Sequence, residues 1–138
     1  MEILAIDIGF GFTKATNGSR SLVFKSILGE ANDIQFKGGI LGDGSKEENI
    51  QIELDGKSYF IGEMAERQSN VRSFTLDQSQ FFSTCAKPLA ITAAARFVGS
   101  HVPIGLVTGL PIGYYREYKD ALVKLLQGDH KLVITSGN

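Results

Sequence analysis

The alternation of apolar and polar positions predicts that the chain begins as short β-strands. Residues 3–8 are apolar except for Asp7, which is typical of a buried strand. Two glycines can then form a tight turn, because glycine tolerates unusual backbone angles and close approach. Residues 12–16 return as the second arm of a hairpin, and residues 21–25 supply a third strand. We therefore expect a three-stranded meander at the start of the fold.

The stretch 29–72 differs in character from its surroundings. Residues 29–49 are glycine-rich and polar, which predicts a surface loop. Residues 50–54 alternate as a half-buried strand, Asp55-Gly56 is a strong hairpin signal, and residues 58–61 pair back. The stretch is thus predicted to be a small β-rich subdomain inserted into a larger one.

After this stretch the pattern changes to helical spacing. An apolar face recurs every three or four positions between residues 79 and 98, and Pro88 either kinks this helix or begins it. The members of the face are Phe82, Cys85, Ala86, Leu89, Ala90, Ala93 and Phe97. A shorter helix is expected over residues 62–67.

The last third of the chain predicts two strands separated by a helix. Residues 103–108 are almost entirely apolar, as in a strand that is buried on both faces and parallel to the first. Residues 114–127 form an amphipathic helix with Gly128 as its C-cap, and residues 130–135 begin another strand. His130 has no second ligand at metal spacing, so we expect it on the surface. This order indicates an α/β core with a right-handed crossover.

Composition narrows the class of protein. A chain of 138 residues is about one domain, and its net charge of −1 gives no electrostatic case for direct nucleic-acid binding. No apolar run approaches the roughly 20 residues that span a bilayer, and the acidic start at Glu2 is unlike a secretory signal. The single cysteine, Cys85, excludes an internal disulfide and fits a reducing cytoplasm. Its place in the apolar helical pattern predicts that it is buried.

The first hairpin carries the clearest candidate chemistry. Asp7 lies near the end of a strand, Gly9 and Gly11 open the backbone, and Lys14 follows three residues later. Backbone N–H groups in such a turn can bind an anion, the lysine can neutralise its charge, and the carboxylate can hold waters of a Mg²⁺ ion. The alternative is an ordinary N-terminal hairpin with a solvated lysine. The residue types favour a site for a metal-bound phosphate.

Four segments occur in an order that is typical of one family. They are Asp7-Ile-Gly-Phe-Gly-Phe-Thr-Lys14, Phe24-Lys-Ser26, Tyr59-Phe-Ile-Gly-Glu-Met-Ala65 and Val107-Thr-Gly-Leu-Pro-Ile-Gly-Tyr-Tyr115. The first resembles the first phosphate loop of the actin-like ATPases. The others are similar to the Phe-x-Ser, Gly-Glu-x-Ala and Gly-Leu-Pro segments of the bacterial and archaeal actin-like proteins typified by ParM, a plasmid-segregation filament protein.

This resemblance implies an α/β fold of the actin-like ATPase (ribonuclease H-like) class, specifically its domain I. A central mixed five-stranded sheet with flanking helices would form subdomain IA from residues 1–28 and 73–138. The inserted subdomain IB would be residues 29–72. Domain II of such proteins, with a second phosphate loop and most adenosine contacts, would be absent from this chain.

The resemblance also assigns roles to the first loop. Asp7 would hold the Mg²⁺ of ATP through water, backbone N–H groups of residues 9–13 would contact the β- and γ-phosphates, and Lys14 would neutralise charge. Phe10 stands where some relatives have a serine, so a hydroxyl contact to the γ-phosphate is lost. Leu110 and Pro111 are expected to be structural. The full set of expected binding residues is Asp7, Gly9, Phe10, Gly11, Phe12, Thr13 and Lys14.

The function implied is that of a filament-forming, ATP-dependent protein in plasmid or DNA segregation or in a bacterial cytoskeleton. The full-length protein would hydrolyse ATP and self-associate into filaments in the cytoplasm, without contacting a membrane. DNA would be reached through a DNA-binding adaptor protein. This chain alone, with half of the phosphate site and no catalytic residue, is expected to bind ATP weakly and not to hydrolyse it.

Two other functions stay open at this point. One is a metabolite kinase or chaperone-type ATPase, because those families share the first loop. The other is a stand-alone interaction domain that has kept the fold and lost catalysis. Transfer of phosphate to a small molecule would establish the first, and a stable monomer without nucleotide affinity would support the second.

Overall fold

The computed structural model describes residues 1–30, 50–62, 72–73, 84–110 and 112–136. Within these ranges the chain forms two β-sheets and two α-helices. The strands are β1 (Glu2–Ile8), β2 (Phe12–Thr16), β3 (Ser21–Lys25), β4 (Leu28–Glu30), β5 (Ile50–Leu54), β6 (Lys57–Ile61), β7 (Arg72–Ser73), β8 (Ile104–Thr108) and β9 (Leu132–Ser136). The helices are α1 (Ala86–Ala95) and α2 (Tyr115–Leu126), and a 3₁₀ turn at Ile112–Tyr114 leads into α2.

The four-stranded sheet has the strand order β3-β2-β1-β8. Its first three strands form the predicted antiparallel meander, in which Asp7 lies opposite Lys14. β8 pairs with β1 in parallel, with Ile6 opposite Thr108. Parallel neighbours require a crossover connection, and α1 lies in the chain between them. The parallel arrangement predicted for this strand is confirmed.

The five-stranded sheet has the order β7-β4-β6-β5-β9. The β5–β6 hairpin turns at Asp55 and Gly56, which both have positive φ, at 53° and 86°. Two successive residues with positive φ make the turn whose twist matches that of the flanking strands, and this explains the aspartate–glycine pair. The predicted hairpin is confirmed.

The position of β9 corrects one expectation. Five strands were expected around β1, but in the described part of the chain that sheet has four, and β9 pairs with β5 in the other sheet. This pairing turns Leu132 and Ile134 towards the hydrophobic core, where β9 contacts α1. The pairing thus extends the apolar face that β5 already presents. The division into residues 1–28 with 73–138 and an inserted 29–72 stays a prediction.

Helix α1 lies at the centre of the core. Its small residues allow close packing, and it contacts β1 and β2 of one sheet and β9 of the other. Pro88 falls in the first turn of this helix, where a backbone N–H has no partner within the helix, so the proline costs no hydrogen bond. The core residues are Leu4, Ile6, Ala15, Phe24, Leu28, Ile50, Ile52, Leu54, Ile61, Cys85, Ala86, Leu89, Ala93, Ala94 and Leu122. Cys85 is buried, as predicted, and burial raises the pKa of its thiol to about 11.

Helix α2 packs on this core through Leu122 and ends near Gly128, whose φ of 105° matches the predicted C-cap. The expectation of a surface His130 is wrong. Its side chain is partly buried, and its Nε2 lies 2.8 Å from the carbonyl oxygen of Leu126 at the end of α2. A polar side chain at this position can satisfy a terminal carbonyl that has no partner within the helix.

The prediction that β8 is buried on both faces is also wrong, because Val107 is 58% exposed. It lies on the face of the four-stranded sheet that points away from α1. The loop expected over residues 29–49 begins as β4, and its remainder lies outside the described residues. So do Phe82, Pro111 and nearly all of the helix expected over residues 62–67.

Candidate functional site

The turn between β1 and β2 is closed by a hydrogen bond from the N–H of Gly9 to the carbonyl of Phe12, at 3.0 Å. A Cβ atom at Gly9 would lie 2.9 Å from that same carbonyl oxygen, closer than real Cβ atoms approach. Glycine is therefore required here for steric reasons. Among the described residues no atom lies within 4 Å of a Cβ atom placed on Gly11, so that glycine is not required for space. The two glycines of the motif thus have different roles.

Asp7 and Lys14 lie opposite each other on the two strands that this turn connects. They are direct partners in the antiparallel register, and both are exposed on the sheet face opposite α1. Together with Thr108 and Gly109 they line an open groove of about 650 Å³. Both are exposed to solvent, and neither makes an ion pair with another described residue. The structure thus brings together the two charged residues that the sequence predicted.

Thr108 fixes the end of β8, which forms the side of the groove next to Asp7. Its hydroxyl donates to the carbonyl of Ile6 at 2.6 Å and joins the ends of the two parallel strands β1 and β8. Ligands of open α/β sheets bind beyond the carboxyl ends of the strands, which is where the Gly9 turn and Gly109 lie. Leu110 packs against the core, as its expected structural role requires. Sequence reasoning did not single out Thr108, although its place before a glycine at a strand end was visible.

Thr13 faces the opposite way from its neighbours Phe12 and Lys14. It is fully buried, and its hydroxyl oxygen lies 2.8 Å from that of Ser26, which is also buried. The N–H of Ser26 donates to the carbonyl of Gly11 at 3.0 Å. Because Thr13 has no exposed surface and its hydroxyl is held inside the protein, its side chain does not reach the groove.

Two aromatic side chains stand at the tip of the hairpin. Phe10 and Phe12 are each about half exposed, at 45% and 49%. They give the tip an apolar outer surface beside the charged pair. As the sequence indicated, Phe10 brings no hydroxyl group to the turn.

The charged pair Asp7 and Lys14 suits a metal-bound anion more than a directly bound metal. Among the described residues there is no group of three or more histidine, cysteine or acidic side chains that could ligate a metal. A lone carboxylate such as Asp7 can still hold Mg²⁺ through water, because Mg²⁺ keeps several waters and often takes one or two protein carboxylates. Lys14 opposite adds a donor for the anion.

The chain matches the family described as actin-like proteins, N-terminal domain, over residues 5–138. It therefore belongs to this family, and its fold is that of an actin-like N-terminal domain. No curated protein matches the chain.

Among solved structures, the chain is similar to the ParM subunit of a 15-stranded filament from Clostridium botulinum. The two are 28% identical with a TM-score of 0.78, and the match covers 99% of this chain and 42% of that one. It is also similar in fold to the archaeal actin homologue Ta0583 in complex with ADP (18% identity, TM-score 0.68, 99% and 41% covered). A third is AlfA from B. subtilis plasmid pLS32 in a filament (19% identity, TM-score 0.61, 98% and 50% covered). The chain thus spans about half or less of the length of these proteins.

In the ranges that the structure describes, neither helix combines the length and the hydrophobicity that crossing a membrane requires.

Proposed function

We propose that this chain is the N-terminal domain of a filament-forming actin-like ATPase of the ParM type, and that its first hairpin binds the phosphates of Mg-ATP. The observation that carries the proposal is the pairing of Asp7 and Lys14 on an exposed face directly behind the Gly9 turn. Family membership supports a nucleotide as the ligand, as does the ADP in complex with Ta0583.

The two charged residues would bind opposite charges of Mg-ATP. The carboxylate of Asp7 would orient waters on Mg²⁺, and the ammonium of Lys14 would neutralise phosphate oxygens. When bound, Mg²⁺ would supply positive charge that neutralises the phosphates of the nucleotide. The protein residues would hold the phosphate end of the nucleotide at the part of the groove that Asp7, Lys14 and Gly109 line.

The backbone of the turn would complete the phosphate contacts. The N–H of Gly9 is already bonded to Phe12, so we assign Gly9 to shaping the turn and the phosphate contacts to amides later in it. A turn of successive backbone N–H groups is a suitable anion site without any hydroxyl side chain. The aromatic ring of Phe10 in place of a serine is compatible with this arrangement.

Hydrolysis and assembly require more than this hairpin. Phosphoryl transfer depends on charge surrounding the phosphates and on a residue that positions water, and the hairpin supplies one side of such a site. We assign ATPase activity and filament formation to the longer protein, which would act in the cytoplasm in plasmid or DNA segregation or as a cytoskeletal element. The filaments of the ParM and AlfA relatives support self-association. Because the net charge is −1, DNA would be reached through an adaptor protein.

A calorimetric titration with Mg-ATP tests the site. Lys14→Ala should weaken binding by roughly tenfold to a hundredfold, because hydrogen bonds to charged groups contribute about 1.5–3 kcal/mol. Asp7→Asn should weaken Mg-ATP binding but not the weak binding of ATP measured in EDTA. This second comparison separates a role in holding magnesium from a general loss of affinity.

Matched controls are available on the same chain. Lys57→Ala and Asp129→Asn remove exposed charges of the same types away from the groove and should leave Mg-ATP binding unchanged. Equal losses in the site variants and these controls would mean that net charge, not the hairpin, governs binding. Absence of Mg-ATP binding by the unaltered chain at millimolar concentration would refute the proposed site.

A further inference from the structure

The interior beneath the first hairpin contains a polar pair where the alternation of the strands predicts apolar side chains. Thr13 and Ser26 are both buried, and they hydrogen-bond to each other through their hydroxyl groups. Burying two hydroxyl groups costs desolvation free energy, and the single hydrogen bond between them compensates for only part of this cost. A valine and an alanine would fill the same space without that cost, so the pair calls for an explanation other than stability.

Ser26 is held firmly on both sides along the chain. Phe24 before it is buried in the four-stranded sheet, and Leu28 after it is buried in β4. Between them, the carbonyl of Ile27 accepts a hydrogen bond from the N–H of Gly62 at 2.9 Å. The segment from β3 to β4 is therefore a fixed point between the two sheets.

This fixed point contacts the first hairpin through two hydrogen bonds, one to β2 and one to the turn. The hydroxyl of Ser26 holds the side chain of Thr13, and the N–H of Ser26 holds the carbonyl of Gly11. The Gly11 carbonyl and the Phe12 N–H belong to one planar trans peptide and point in opposite directions. Fixing the carbonyl towards Ser26 consequently aims the Phe12 N–H away from Ser26.

We propose that Ser26 is a positioning residue for the phosphate turn, and that it sets the direction of the Phe12 amide that contacts the phosphate. This inference rests on the proposed function, because it assigns Ser26 a role in nucleotide affinity. The hydroxyl pair keeps Thr13 in register with the fixed segment, and the backbone bond then orients the peptide between Gly11 and Phe12. The cost of burying two hydroxyls is offset by an anion site that is already formed before the ligand arrives.

The test compares Ser26→Ala with the double variant Ser26→Ala/Thr13→Val. The single variant leaves the Thr13 hydroxyl buried without its partner, so it should lose stability as well as affinity. The double variant replaces both hydroxyls with apolar groups and should recover most of the stability. If Ser26 positions the turn, Mg-ATP affinity should stay about tenfold lower in the double variant, and the Phe12 amide signal in the NMR spectrum should remain displaced from its wild-type position.

Thr92→Val is the matched control. Thr92 is a fully buried threonine on α1 whose hydroxyl has no hydrogen-bond partner among the described residues. Its replacement should change neither the affinity nor the Phe12 signal.

The outcomes separate this inference from the proposed function. Wild-type affinity and a wild-type Phe12 signal in the double variant would overturn the positioning role and leave a purely structural pair. If the unaltered chain binds no Mg-ATP, the proposed function fails. In that case the Phe12 signal of the ligand-free Ser26→Ala variant, which keeps both sequence neighbours of Phe12, still decides whether Ser26 orients the turn. A displaced signal in that variant supports the role, and an unchanged one overturns it.

Discussion

The two faces of the four-stranded sheet are made of alternate residues of the same strands, and they differ in what covers them. On the inner face, Leu4 and Ile6 are buried against α1. On the outer face, Ile3, Val23 and Val107 are 55%, 53% and 58% exposed, and they share that surface with Asp7 and Lys14. The same apolar residue types thus occur in two different environments within one sheet.

The difference separates stability from function in this domain. The inner face contributes the burial that holds the sheet to α1, and removing side chains from it should unfold the protein. The outer face contributes little burial, so its charged pair can be exposed to a ligand without weakening the core. The two faces are supplied by consecutive residues directly after the turn: Thr13 points into the core, and Lys14 points to the outer face.

The largest expected effect on stability comes from an alanine substitution on the inner face of β1, compared with the same substitution at the neighbouring residue on the outer face. Leu4→Ala should destabilise the protein by about 2–5 kcal/mol, because it leaves a cavity beside α1. Ile3→Ala, one residue away on the outer face, should cost roughly 1 kcal/mol or less, since most of that side chain is already in water. Urea denaturation measures both values. Comparable losses of unfolding free energy in the two variants would show that the outer face is covered in solution.

A second comparison uses cysteine reactivity. Cys85 is buried on the inner side, and burial raises the pKa of its thiol to about 11, so little thiolate is present in the native protein. A cysteine introduced at Val107, in a Cys85→Ala background, should react with a thiol reagent on the order of a hundredfold faster than Cys85 does. Equal rates would mean that the inner face opens as readily as the outer one.

The turn itself offers a matched pair of glycines. Gly9→Ala should destabilise the protein by about 1–3 kcal/mol, because the new methyl group would meet the backbone carbonyl of Phe12 at 2.9 Å. Gly11→Ala makes the same chemical change where no described atom lies within 4 Å of the new methyl group, and it should be close to neutral. Thermal denaturation of the two variants distinguishes steric need from simple loss of a glycine. Equal destabilisation would contradict the assigned steric role of Gly9.

The smallest expected effect on stability concerns an ion pair between α1 and the five-stranded sheet, away from the two faces of the four-stranded sheet. Lys87 hydrogen-bonds to Asp55 at 2.7 Å and holds the pKa of that carboxyl below its ordinary value of 3.8. A depressed pKa stabilises the folded state above the unfolded pKa, and this contribution disappears as the pH falls through the folded pKa. Lys87→Met should therefore reduce stability slightly at neutral pH but not in strong acid, since the pair is exposed. A difference that persists in strong acid would point to packing rather than charge.

Local signals in the sequence predicted the local parts of the fold. The hairpin at Asp55-Gly56 was predictable because positive φ at two successive residues has a recognisable residue preference. The burial of Cys85 followed from helical spacing, and the placement of Asp7 and Lys14 in one site followed from the predicted hairpin of residues 3–8 and 12–16. In each case the information lies within a few residues of the feature that it determines.

Features that depend on distant parts of the chain were not predictable in the same way. β9 could join either sheet on its apolar pattern alone, and its partner β5 lies far before it in the chain, so local sequence signals do not specify the pairing. Val107 belongs to an apolar run like that of a fully buried strand, and its exposure depends on what covers the sheet. The Thr13–Ser26 bond joins β2 to the segment between β3 and β4, and sequence spacing gives no sign of it.

The most direct test of the whole account is an NMR titration of the chain with Mg-ATP, following every backbone amide. We expect shifts confined to the first hairpin, residues 7–14, and to Thr108 and Gly109 at the end of β8. The amides of β5 and β6 in the second sheet should not move. Shifts centred on the second sheet, or none at saturating Mg-ATP, would contradict the assignment of nucleotide binding to the outer face.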